Sequence, residues 1–292
     1  GKKILLVNDW HERTVYDPES DPTLAGVSIN AFPILHQEFE EALRDLNLKI
    51  DRYDNIFSQV SRGARQGFYN EPTDKDGYGG IRDPGAAPGS QHRYQDVIWA
   101  VGRHNQYTIL DSSQTEVATY LASDANEGNL WLAGQNVCED EKMSGIAEAF
   151  NGGNFWTNYV GATLVSGGCA DNSGLTDRKF YIEGVNNANF TPITLVGGFA
   201  DCPVRDQPDQ DMSVNAGGAG TETVVFQFDN LAHTLNKTAA IEDVQPGAPN
   251  KMITSMFGLE DITTRAARAC LTRAVLVEFG VTMPAGSKYT SA

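Results

Sequence analysis

Asp96-Val-Ile-Trp-Ala-Val-Gly102 sets five consecutive apolar residues between an acid and a glycine. A run this short, bounded by polar and turn residues, reads as a strand buried on both faces, as strands of a parallel sheet do. The chain after it keeps the same rhythm. Leu110-Asp-Ser-Ser-Gln114 opens a helix, with Asp111 as N-cap and Gln114 three residues later in capping-box spacing. Val117, Tyr120 and Leu121 give that helix its apolar face, Gly128 stops it, and Asn129-Leu-Trp-Leu-Ala-Gly134 is the next strand.

Both ends of the chain repeat the alternation. Lys2-Lys-Ile-Leu-Leu-Val-Asn8 is a buried strand, and a polar loop follows to about Ser28. Phe32, Leu35, Phe39, Leu43 and Leu46 recur at three- and four-residue steps, predicting an amphipathic helix over 31–46. Leu48-Lys-Ile-Asp-Arg-Tyr53 reads as the second strand. Near the C-terminus, Lys251 to Phe257 is a strand, and Thr263 to Phe279 is a helix closed by Gly280 at its C′ position. Strands alternating with helices imply a mostly parallel sheet with right-handed crossovers. The middle differs: Ala162–Val165, Lys179–Glu183, Pro192–Val196 and Thr223–Phe228 are short β-like runs, read as a β-rich insertion beside the sheet over 166–250. Residues 58–93 show no periodicity and read as a long functional loop. The expectation is one domain over 1–282, with 283–292 as a linker or tail.

The 292 residues are enough for one large core, and the formal charge is −16. That field repels phosphate backbones and argues against nucleic acid as a partner. No apolar run approaches the roughly 20 residues that span a bilayer. The start at Gly1 without Met reads as a processed or excised product. Cys138, Cys169, Cys202 and Cys270 contain no CxxC pair, which disfavours structural zinc. Cys270 reads as a buried thiol within a helix, and a Cys169–Cys202 disulfide would fit a secreted protein.

Three stretches together resemble the class I glutamine amidotransferase-like and ThuA-like domains of large secreted bacterial proteins. They are Ile4-Leu-Leu-Val-Asn-Asp9; Tyr94 to Gly102 with its following helix and Gly128-Asn-Leu-Trp-Leu-Ala-Gly-Gln-Asn136; and Met256-Phe-Gly-Leu-Glu-Asp-Ile262 with the helix after it. The resemblance covers about half the chain and omits 58–93 and 166–250. It implies a flavodoxin-like three-layer sandwich. It also implies a Cys nucleophile on the turn after the 130–134 strand and a His-x-Glu after the last strand. Here Gln135 or Asn136 stands at the elbow, Cys138 comes two or three positions late, and Phe257-Gly-Leu-Glu260 keeps Glu260 without the His. On that pattern the amidotransferase chemistry is lost.

The leading expectation is therefore a non-catalytic secreted or cell-surface module for binding or assembly. Its partners would be other domains, copies of itself, or glycans. Strand exits gather ligands in doubly wound sheets, which nominates Asp9, His11, Arg103, His104, Asn105, Gln135 and Asn136. Trp10, Tyr69, Tyr78, Trp156 and Tyr159 are aromatic residues suited to a sugar-binding surface, whereas Trp99 reads as core. Two enzymatic alternatives stand beside this. One is a hydrolase or amidase using Cys138 with His11 or His104. The other is a metal-assisted hydrolase using the acids of the first loop. Asp74-Lys-Asp-Gly77 sets alternate Asp residues before a glycine and, with Asp83, has the pattern of a defective calcium loop, which nominates calcium as a cofactor.

Overall fold

The computed structural model describes residues 4–8, 35–54, 94–102, 117–118, 120–121, 128–134, 137, 156–166, 179–191, 193–198, 211–214, 220–229, 237–247 and 250–289 of the chain. The strands are β1 (Ile4–Asn8), β2 (Ile50–Asp54), β3 (Asp96–Gly102), β4 (Asn129–Gly134), β5 (Ala162–Ser166), β6 (Lys179–Gly184), β7 (Thr194–Gly198), β8 (Asp211–Val214), β9 (Thr221–Asp229), β10 (Lys237–Val244) and β11 (Lys251–Ser255). The helices are α1 (Leu35–Asp45) and α2 (Arg265–Glu278), with a π-helical turn at Trp156–Val160 and a 3-10 turn at Leu259–Asp261. Residues 117–118 and 120–121 are also helical.

Nine strands form one sheet in the order β2-β1-β3-β4-β11-β10-β9-β6-β7, and β5 pairs with β8 apart from it. From β2 to β11 the pairings are parallel. From β11 to β7 they are antiparallel. The class is α/β, but the sheet is mixed rather than mostly parallel. The reason is the length of the connections. Parallel neighbours need a crossover of a dozen or more residues, whereas short turns such as 185–193 and 245–250 force antiparallel return. Residues 166–250 thus contribute β6, β7, β9 and β10 as an extension of the main sheet.

Strand alternation divides the side chains between two faces. Leu6, Ile98, Trp131 and Ile253 form one cross-strand row, by register. This row faces α1 and α2, which pack on each other. Phe39 of α1 meets Trp131 edge-on, with centroids 5.4 Å apart at 62°. The α1 stripe is buried as its spacing requires, through Phe39, Ala42, Leu43 and Leu46. On the other face the π-helical turn packs on β10 and β11, and β8 packs on β10 and β9. Trp99 is core, as read from the sequence.

Both helices end in Schellman motifs. After α1, Asn47 sits at φ 55°, its N–H donates to Arg44 O, and Leu48 N–H donates to Leu43 O. This closure consumes residues 46–49 and moves the strand expected at 48–53 to 50–54. After α2, Gly280 sits at φ 80°, its N–H donates to Val277 O, and Val281 N–H donates to Leu276 O. Thr264 caps the start of α2 by accepting from Ala267 N–H.

The residues after Met283, read as a linker or tail, are docked as far as Tyr289. Lys288 N–H donates to Asp45 O, Ser287 Oγ donates to Leu46 O, and Asn47 Nδ2 donates to Ala285 O. Met283 and Tyr289 pack against the core.

Candidate functional site

The five parallel strands end along one edge. Asn8 lies beside Asp54 and Ala100, Gly102 beside Gly134, and Ala133 beside Ser255. The chain leaves this edge three times into the stretches that carry the nominated residues: Asp9 and His11 after β1, Arg103, His104 and Asn105 after β3, and Gln135, Asn136 and Cys138 after β4. The strand order turns between β1 and β3, because β2 lies on one side of β1 and β3 on the other. Such a reversal opens a crevice at the carboxyl ends of the strands. The side chains of all eight residues lie outside the described residues, as do Asp74, Asp76 and Asp83. Val137, between Asn136 and Cys138, is fully buried in the core.

Glu260 is the nominated residue that the structure describes. It sits in the 3-10 turn beyond β11 and is 1% exposed. Its carboxylate folds back against the bare α-carbon of Gly258. A β-carbon at 258 would lie 2.0 and 2.2 Å from the two carboxylate oxygens. The turn is fixed around this contact. Gly258 N–H donates to Asp261 Oδ2 at 2.8 Å, and Ile262 N–H donates to Leu259 O. Just upstream, Trp131 Nε1 donates to Ser255 Oγ, and Ser255 Oγ donates to Phe257 O. The Glu260 carboxylate thus fills the space that a side chain at position 258 would enter.

Two polar clusters lie on the antiparallel half, and neither was singled out from the sequence. The first joins β11, β10, α2 and the β6–β7 turn. Lys251 Nζ bridges Glu278 and, at 3.3 Å, Glu242. Asn187 Nδ2 donates to Glu242, and Asn189 Nδ2 donates to Glu278. Burial pushes the Glu242 carboxyl up, opposed by the Lys251 charge. Burial also works to raise Glu278, but hydrogen bonds from Lys251 and Asn189 hold it below the usual carboxylate range.

The second cluster lies at the same end of β10 but on the opposite face of the sheet. Asp243 of β10 and Glu222 of β9 are register partners. Asp243 is fully buried. Its Oδ2 accepts from Gln245 Nε2 at 2.6 Å, and that nitrogen also donates to Asn158 O in the π-helical turn. Burial, and then the Glu222 charge, push the Asp243 carboxyl up to about 7. Burial and the Asp243 charge push the Tyr159 hydroxyl up too. Tyr159, considered for a sugar surface, is half-buried beside these acids. The sequence signal was present in Ile241-Glu-Asp-Val244, two adjacent acids in an apolar run, but their placement depends on strand register.

Cys270 lies in α2 and is half-buried rather than buried, and burial pushes its thiol up. Among the described residues no helix is long and apolar enough to cross a membrane.

No family model matches the chain, and no curated protein matches it. Among solved structures it is similar to "Agd3 a novel carbohydrate deacetylase", with a TM-score of 0.43 and 10% sequence identity. That likeness covers 93% of this chain and 32% of the other, so this chain spans about a third of that one.

Proposed function

We propose that this chain is a class I glutamine amidotransferase-like domain of flavodoxin-like, three-layer build, serving as a non-catalytic binding or assembly module of a secreted or cell-surface bacterial protein. The parallel order β2-β1-β3-β4-β11 agrees with the flavodoxin-like 2-1-3-4-5 order. The observation that carries the non-catalytic reading is Glu260, whose carboxylate lies against Gly258 where a catalytic His would need its β-carbon. A carboxylate in that position cannot orient an imidazole toward a nucleophile. The loops leaving the β1, β3 and β4 ends would then recognise a partner, since loops on a rigid scaffold concentrate recognition. Asp9, His11, Arg103, His104, Asn105, Gln135 and Asn136 would form that surface, with other domains, copies of the chain or glycans as partners. Calcium bound by Asp74, Asp76 and Asp83 is part of the same proposal.

One experiment with two readouts tests it. Purified protein is assayed for ammonia release from glutamine and a panel of amides, and is applied in parallel to a glycan array. The expected result is no ammonia above buffer, together with array binding that an Arg103→Ala/His104→Ala variant loses. Ammonia release that Cys138→Ser abolishes would overturn the reading in favour of a Cys-dependent amidase.

A further inference from the structure

We propose that the buried Asp243 carboxyl, set against Glu222, latches the Trp156–Gly161 segment onto the β9–β10 face while it holds a proton and releases the segment as the medium becomes more alkaline. The geometry begins with register. The two residues sit directly opposite on neighbouring antiparallel strands, so their side chains leave the same face close together. Asp243 Oδ1 and Glu222 Oε1 are both buried and lack a hydrogen-bond partner among the described residues. Two ionised carboxylates cannot be left so placed at low cost, and a proton on one of them removes the repulsion.

The pair is built into the contact it controls. The Glu222 side chain packs on Gly161, where a β-carbon would lie 2.2 Å from Cγ. Asp243 Oδ1 packs on Gly220, where a β-carbon would lie 1.7 Å away. Gln245 Nε2 ties Asp243 to the Asn158 carbonyl. Gly161 leads directly into β5, and β8, which pairs with β5, covers β10. The same carboxyls that would repel are thus the ones under the turn and the β5–β8 layer.

No cation faces Asp243 among the described residues. From β9 it meets Glu222, and from the turn it meets Tyr159. On its own strand Glu242 points to the other face, where Lys251 of β11 is engaged by Glu242 and Glu278. The β11 residue beside Asp243 is Met252. In β8 the one titratable residue is Asp211, at the end away from the Ala162–Val214 pair next to Gly161. With the Asp243 carboxyl held up to about 7 in the closed form, opening releases a proton at any pH between about 4 and 7. Opening therefore becomes easier as pH rises through that window, and the effect levels off above it.

The test is amide hydrogen exchange of peptides spanning 156–166, corrected for intrinsic rate, between pH 5 and 8. Wild type should lose protection by up to roughly tenfold per pH unit as far as about pH 7 and then level off. Asp243→Asn should be flat across the range. Glu222→Gln should show a shallower loss, displaced to lower pH, and serves as the second variant if Asp243→Asn folds poorly. Millimolar calcium should leave the wild-type curve unchanged. Flat wild-type protection, a Glu222→Gln curve that tracks wild type, or protection restored by calcium would overturn the proposal.

Discussion

Arg265, the first residue of α2, grips Asp45, the last residue of α1, through two nitrogens, with Nη2 2.9 Å from Oδ1 and Nε on Oδ2. Lys288 Nζ reaches the same carboxylate at 2.9 Å, so one buried acid joins two helices and the docked tail. The Arg265 hydrogen bonds, with Lys288, hold the Asp45 carboxyl down to about 2, against burial, which alone would raise it. A carboxylate whose folded pKa is depressed stabilises the fold above its unfolded value, near 4, and loses that contribution as pH falls toward 2. Thermal melts from pH 5 to 2 should therefore be steeper for wild type than for Asp45→Asn, which should already melt lower at pH 7. Identical acid limbs would show that the fork does not contribute.

The Gly258–Glu260 contact predicts non-additivity. Gly258 has φ −104°, open to any residue, so Gly258→Ala acts through collision with the Glu260 carboxylate and not through backbone strain. Overpacking of this kind costs about 1–3 kcal/mol. In a Glu260→Ala background the same substitution should cost less than about 0.5 kcal/mol. Urea denaturation of the four proteins closes the cycle, and additive losses would remove the contact as the cause.

Lys251 compensates two carboxylates on different elements. Lys251→Met leaves Glu242 and Glu278 facing each other, and a broken, mostly buried pair costs about 2–4 kcal/mol at pH 7.5. Without the ammonium both folded pKa values rise, so stability should return as pH falls toward 5. Urea midpoints at pH 7.5 and 5 read this directly, and a deficit that does not shrink on acidification would contradict it.

Gly280 stands at φ 80° in the closing motif of α2. Gly280→Ala should lower stability by about 1 kcal/mol, because a β-carbon disfavours the left-handed region. A melting temperature equal to wild type would mean that the helix end rearranges without cost.

Much of the parallel half was legible because its strands are uniform apolar runs. Residues 4–8, 96–102, 129–134 and 251–255 announce themselves, and so does the Gly280 stop. β10 was missed because Lys237-Thr-Ala-Ala-Ile-Glu-Asp-Val244 is rich in residues that disfavour strands, and its neighbours β9 and β11 supply the order. The 50–54 strand starts two residues later than expected because Asn47 closes α1 with a left-handed turn that apolar spacing does not reveal. For the candidate site, the points where the chain leaves β1, β3 and β4 could be read, since each follows the end of an apolar run. That Glu260 turns onto Gly258, or that Asp243 meets Glu222, could not be read, because both contacts depend on tertiary geometry.

β11 has a consequence for how the chain is made. It enters the sheet between β4 and β10, and its Ser255 meets Trp131 from 124 residues away in sequence. Until Lys251–Ser255 has left the ribosome, β4 and β10 both present open edges with buried-type side chains beside them. Of the described strands, the one synthesised last thus fuses the two halves, and long-range closure of this kind is slow. Nascent chains arrested before residue 251 should hold two unsealed sheets, each prone to capture by chaperones or by one another.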